Sequence, residues 1–157
     1  MSKTNHVAID PGASGGIAWQ DHDGNMMTAP MPAQSTDTVT LLEGLKLQGI
    51  DTLVLEQLPR FVPMGGGKGI PGSMAAVMFE NFGIILGAAI ALRFKIVRVP
   101  PQEWQKGLGL GNSKDCASKS KWKNKLKGRA QELFPEVKVT LKTSDALLIW
   151  EYWHRSP

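Results

Sequence analysis

The chain has few of the residues on which several protein classes depend. Among its 157 residues there is one cysteine, Cys116, so an internal disulfide is excluded and a reducing compartment is expected. The three histidines are scattered and form no zinc-binding pattern. The longest apolar run, 82–92, is too short to cross a bilayer, and no apolar signal segment lies in residues 1–5. These absences favour a globular domain that is neither secreted, membrane-spanning nor zinc-stabilised.

Charge is distributed unevenly along the chain. The net charge is +4, but residues 114–129 alone contain seven basic residues and one acid, so the rest of the chain carries −2. A basic patch on a mildly acidic body is typical of proteins that bind a polyanion with salt-sensitive affinity. The alternative is a solvated helix face without a partner.

The order of predicted elements indicates an α/β fold in one domain, 1–157. Strands near 5–10, 16–20 and 26–31 form an antiparallel meander. They are followed by a helix at 37–48 with Thr36 or Asp37 as its cap, a strand at 51–56, a helix at 73–93 and a strand at 95–99. Helices at 101–107, 114–134 and 144–154 complete the chain. Strands joined through helices are expected to be parallel. This is the order of the ribonuclease H-like fold, a mixed five-stranded sheet flanked by helices.

Three carboxylates stand at the ends of predicted core elements. Asp10 ends the first strand, Glu56 ends the fourth, and Asp145 opens the last helix. Hard cations such as Mg²⁺ take oxygen ligands, and two such ions can promote phosphodiester hydrolysis. Each acid taken alone could be an ordinary turn or cap residue. Together they predict a divalent-metal site.

The basic helix predicts a surface that follows a nucleic acid backbone. Lys119, Lys123 and Lys127 share one helix face, while Lys121 lies on an adjacent strip and Lys114 near the start. Trp104 and Trp122 are expected to pack in the core.

Four motifs in order resemble the RuvC-type Holliday junction resolvases of bacteria, phages and plastids. They are Ala-Ile-Asp-Pro-Gly at 8–12 with Gly15-Gly16, Leu-Glu-Gln at 55–57, Val-Pro-Pro-Gln-Glu-Trp at 99–104 and Ser-Asp-Ala-Leu-Leu at 144–148. The resemblance implies a homodimeric endonuclease that cuts four-way DNA junctions and leaves 5′-phosphate nicks. It implies Asp10, Glu56 and Asp145 as ligands of two Mg²⁺ ions per site, with Mn²⁺ expected to substitute. The expected location is the cytoplasm of a bacterium or phage-infected host, with a processed organelle protein as the alternative and no membrane partner.

One position departs from the family pattern. Three residues before the last acid the family usually has Asp or His, and here stands Lys142. A charged lysine cannot ligate a metal. It could replace the charge of one ion at the scissile phosphate, contact phosphate without catalysis, mark an impaired site, or be an ordinary surface lysine at the helix entrance. We favour the direct role at the phosphate and therefore count Lys142 among the catalytic candidates.

The loop after Glu56 supplies the remaining candidates for DNA binding. Phe61 could stack on an unpaired base, or it could anchor the loop on the core. Arg60 and Lys68 could bind phosphates. Two functional alternatives stay open: a RuvC-like nuclease for flaps, forks or other branched DNA, and a catalytically impaired junction-binding protein.

Overall fold

The computed structural model describes residues 5–59 and 71–157. Its five strands are β1 His6–Ile9, β2 Gly16–Gln20, β3 Met26–Pro30, β4 Thr52–Glu56 and β5 Lys95–Val99. Its helices are α1 Ser35–Leu47, α2 Gly72–Ala91, α3 Pro101–Gly107, α4 Lys119–Leu133 and α5 Ser144–Arg155, with a 3₁₀ turn at Ser113–Asp115.

The strands form one mixed sheet in the order β3-β2-β1-β4-β5. The β3-β2-β1 part is an antiparallel meander, whereas β1-β4 and β4-β5 are parallel pairs. Both parallel pairs are connected through helices, as the crossover rule requires. The predicted ribonuclease H-like sheet is therefore confirmed.

Side chains alternate between the two faces of the sheet and build a core on each side. Val7 and Ile9 of β1 pack with buried residues of α1 and α2. Ala8 points the other way and packs with α3, α4 and α5. The result is a layer of helices on either face of a central sheet.

A reciprocal pair of hydrogen bonds fastens α5 to β1. Trp150 Nε1 donates to the carbonyl oxygen of His6, and the His6 ring lies 3.2 Å from the carbonyl oxygen of Trp150. The two rings are stacked with centroids 4.6 Å apart. This contact sets the position of α5, and hence of Asp145, relative to the strand that ends at Asp10.

Replacing Trp150 by phenylalanine is expected to destabilise the fold. The change keeps an aromatic ring but leaves the buried carbonyl of His6 without the indole donor, at a cost of about 1–3 kcal/mol. Urea unfolding of W150F measures the loss. An unchanged free energy of unfolding would show that this hydrogen bond does not hold α5 in place.

Two predicted helix starts need correction. α1 begins at Ser35 after Gln34, and no side-chain hydrogen bond caps it, so neither Thr36 nor Asp37 is its cap. α4 begins only at Lys119, because Ser118 accepts a hydrogen bond from the Lys121 N–H and ends the preceding irregular segment. The predicted start at 114 merged this helix with the 3₁₀ turn before it.

The apolar sequence of α2 predicts burial against the sheet or against a second subunit, and in the single chain the helix is mostly exposed. Its buried residues are Ala75, Ile85 and Ala89, while large apolar side chains such as Phe79 and Ile90 face solvent. Among the helices in the described ranges, α2 alone is long and apolar enough to span a membrane by length and composition. An uncovered apolar face of this size is typical of a surface that meets a partner.

Candidate functional site

Asp10 and Glu56 lie side by side at one edge of the sheet. Ile9 of β1 pairs with Leu55 of β4 in parallel register, so the next residue on each strand is one of the two acids. The carboxyl ends of parallel strands open onto a crevice where α/β folds place their ligands. Asp145 reaches the same place from the first turn of α5, where it is 5% exposed.

A tight turn fixes the Asp10 carboxylate. The Gly12 N–H donates to Asp10 Oδ1 at 3.1 Å, and the Asp10 N–H donates to the Gly16 carbonyl at 3.0 Å. A Cβ on Gly15 would overlap the Asp10 carbonyl oxygen, and one on Gly16 would overlap the carbonyl oxygen of Lys142. The glycine pair is thus required by close backbone approach on both sides of the site.

Trp104 orients Glu56. This fully buried tryptophan donates its indole N–H to Glu56 Oε2 at 2.8 Å. The sequence predicted Trp104 only as a core residue. Its proximity to Glu56 follows from the pairing of Glu56 with Val99, two residues before α3 begins.

Lys123 enters the carboxylate cluster directly. Its ammonium forms an ion pair with Asp145 Oδ2, and the Ser144 hydroxyl donates to the other carboxylate oxygen of Asp145 at 3.2 Å. The sequence predicted Lys123 as a DNA-binding residue and missed this contact. Its neighbour Trp122 packs into the core, which brings α4 close enough for Lys123 to reach the cluster.

The three acids and Lys123 influence one another electrostatically. Burial, followed by the nearby Asp145 charge, raises the pKa of Asp10 to about 6 against the opposing effects of Gly12 and Lys123. Burial and then the Asp10 charge raise the pKa of Glu56 to about 8, although the Trp104 hydrogen bond opposes the shift. Burial works to lower the pKa of Lys123, but attraction to the acids, Asp145 first, outweighs it and raises the pKa. Three carboxyl groups thus face one ammonium, and added positive charge would stabilise their ionised forms.

The donor set fits a divalent cation by its chemistry. Asp10, Glu56 and Asp145 offer oxygens alone, as Mg²⁺ prefers, and their mutual repulsion would be relieved by added positive charge. Within residues 5–59 and 71–157, no group of three His, Cys, Asp or Glu side chains stands ready to hold one ion. The Asp145 carboxylate is paired with Lys123, so its use as an ion ligand requires this ion pair to open.

A groove of about 440 Å³ adjoins the cluster on the side of the α4 N-terminus. Lys114, Lys119 and Lys123 line it together with Trp122 and Cys116. Lys114 and Lys119, both predicted to bind DNA, lie beside Lys123 in this groove. Lys121 is exposed on the neighbouring strip of α4.

Lys142 and Lys127 line a second groove. In the described part of the chain no ion pair joins Lys142 to Asp10, Glu56 or Asp145. The direct role of Lys142 at the scissile phosphate stays a prediction. Arg60, Phe61 and Lys68 lie outside the described residues.

Solved RuvC structures have the same overall fold as this chain. Thermus thermophilus RuvC in complex with a Holliday junction substrate matches 96% of this chain and 94% of its own, with a TM-score of 0.56 and 13% identity. A second Thermus thermophilus RuvC structure matches 96% and 95%, with a TM-score of 0.57 and 14% identity. A scan against protein-family models finds no match, and neither does a search of curated proteins. The likeness establishes a RuvC-like fold.

Proposed function

We propose that this chain is a Mg²⁺-dependent endonuclease that resolves four-way DNA junctions. The observation that carries the proposal is the cluster of Asp10, Glu56 and Asp145 at the carboxyl edge of a RuvC-like sheet, with basic grooves beside it. Asp10, Glu56 and Asp145 would hold divalent cations, which supply activation of water and neutralisation of a phosphodiester.

The protein groups around the cluster have separate tasks in this proposal. The Gly12 N–H and the Trp104 indole keep Asp10 and Glu56 aimed at the cleft. Lys123 neutralises Asp145 before cations bind. With cations held by the acids, Asp145 would no longer need the ammonium, and Lys123 would be available to pair with a DNA phosphate, in line with its predicted role in DNA binding.

Cleavage of a synthetic four-way junction tests this function. With Mg²⁺ we expect paired cuts in opposed strands that leave ligatable nicks, and no cuts in EDTA. Cutting flaps and forks as readily as junctions would favour the branched-DNA nuclease. Tight junction binding without cuts under Mg²⁺ or Mn²⁺ would instead identify a non-catalytic junction-binding protein.

The exposed face of α2 supports a homodimer. On the side of α2 that faces away from its buried residues, Phe79 and Ile90 are each more than two-fifths exposed, and Cβ atoms on Gly83 and Gly87 would meet open space. A helix with such small residues can pack closely against a copy of itself. A lipid surface suits the face less well, because Glu80 lies exposed in the middle of the helix.

Replacing Gly83 by arginine is therefore expected to give a monomer. A Cβ at this position has no heavy atom of the described protomer within 4 Å, and an arginine side chain blocks close helix packing and adds charge to the apolar face. Light scattering after gel filtration measures the mass. G44R is the matched control, because Gly44 also lies in a helix with open space at its Cβ. A monomeric wild type, or a dimeric G83R, would contradict the interface.

A further inference from the structure

We propose that a lysine-lined groove beside β3 binds the backbone of the DNA strand where it leaves the catalytic cleft. The groove has a volume of about 620 Å³ and lies between β3, α4 and the turn that precedes α5. This inference rests on the proposed function and assigns a further part of the DNA-binding surface.

The lining of the groove is cationic. Lys127, Lys138 and Lys142 contribute to it from two separate segments, and no aspartate or glutamate is among its lining residues. In residues 5–59 and 71–157 none of these three lysines forms an ion pair with an acid. Three lysines gathered around one cavity without acidic partners are complementary to a row of phosphates.

The groove is formed by segments that also lead to the carboxylate cluster. Lys127 lies one helical turn after Lys123, a rise of roughly 6 Å along α4. Lys142 precedes Asp145 by three residues along the chain. The Lys142 carbonyl also packs against Gly16, next to the turn that follows Asp10. Lys119, Lys123 and Lys127 thus form a track along one face of α4, from the groove near the α4 N-terminus, past the cluster, to this second groove.

The apolar part of the lining favours a nucleic acid strand over a small free anion. Leu141 is 49% exposed, and Pro30 of the edge strand is also exposed. A deoxyribose can pack against such side chains while its phosphates meet the lysines. Lysine side chains that touch phosphates fix the position of DNA without reading its sequence. The groove should therefore contribute affinity and salt dependence, with no preference among base sequences.

The salt dependence of DNA binding tests the groove. Fluorescence anisotropy in EDTA, with a labelled four-way junction and a linear duplex as probes, gives the slope of log affinity against log salt concentration. K138A is expected to reduce the slope by about one, and the triple variant K127A/K138A/K142A by about two to three, on junctions of any sequence. K95A is the matched control, because Lys95 is exposed at the amino end of β5, at the opposite end of the sheet from the cluster. Thermal melting confirms that each variant is folded.

The possible outcomes distinguish a failure of the groove proposal from a failure of the proposed function. If K138A and the triple variant keep the slope of K95A while wild type still cuts junctions, the groove proposal is wrong and the nuclease stands. If wild type binds junctions with the predicted lysine-dependent slopes but never cuts them, the groove stands and the nuclease proposal is wrong. A wild type that binds neither probe would overturn both.

Discussion

Replacing Asp10 by asparagine is expected to abolish junction cleavage, with a loss of about a thousandfold or more in rate. The amide removes one anionic oxygen from the set that would hold the cations, and metal ions contribute several kcal/mol to the stabilisation of a phosphodiester transition state. The amide oxygen of asparagine can still accept the Gly12 N–H, so the turn should survive. Single-turnover cleavage of a labelled four-way junction with Mg²⁺ measures the change.

A matched aspartate serves as the control for Asp10. Asp51 is exposed just before β4, at the opposite end of the sheet from the cluster. D51N should cut at the wild-type rate. Junction binding by D10N should remain, because the basic grooves are untouched. Cleavage by D10N at the wild-type rate would exclude Asp10 as a ligand.

Replacing Glu56 by glutamine is expected to stabilise the metal-free protein at alkaline pH. The folded protein holds a proton on Glu56 up to a pKa of about 8, whereas the unfolded chain releases it near 4.5. Between these values the folded state binds more protons, so wild type loses stability as pH rises through this window. Glutamine removes that loss while its amide oxygen can still accept the Trp104 N–H. At pH 8.5 the gain should reach a few kcal/mol, and near pH 4.5 it should be small.

At pH 8.5, Mg²⁺ should make wild type more stable than E56Q, the reverse of their order in EDTA. Ligands that bind the folded state alone add stability in proportion to the logarithm of their concentration, so Mg²⁺ should stabilise wild type at pH 8.5 and E56Q much less. Urea unfolding in EDTA and in Mg²⁺ provides both comparisons. E43Q, at an exposed glutamate of α1, should behave as wild type throughout. If the free energies of unfolding of E56Q and wild type depend on pH in the same way in EDTA, the pKa of Glu56 is not raised as proposed.

The sheet could be predicted because its signals are local. Short apolar runs ending in Asp10 and Glu56, with turns and helices between them, determine strand order through general rules of connection. The strand ends also predicted that these two acids would meet. The start of α4 was missed, because the basic run 114–129 has one composition across two conformations and Ser118 alone marks the boundary.

The contacts that complete the site depend on tertiary packing. Nothing local distinguishes Lys123 from the other lysines of α4, and it is the packing of Trp122 and Leu126 that turns it towards Asp145. Trp104 likewise looked like a core residue, which it is, but its N–H meets Glu56 because α3 directly follows the strand beside β4. The apolar sequence of α2 predicts that the helix is covered, but it does not show how much of the cover comes from the same chain and how much from another copy.

The proposed function requires that Asp10, Glu56 and Asp145 share divalent cations. The most direct measurement is anomalous diffraction from crystals of this chain soaked in Mn²⁺. We expect manganese peaks within bonding distance of oxygens from all three acids, with Lys123 withdrawn from Asp145. Well-ordered carboxylates that bind no manganese, with Lys123 still paired to Asp145, would contradict it.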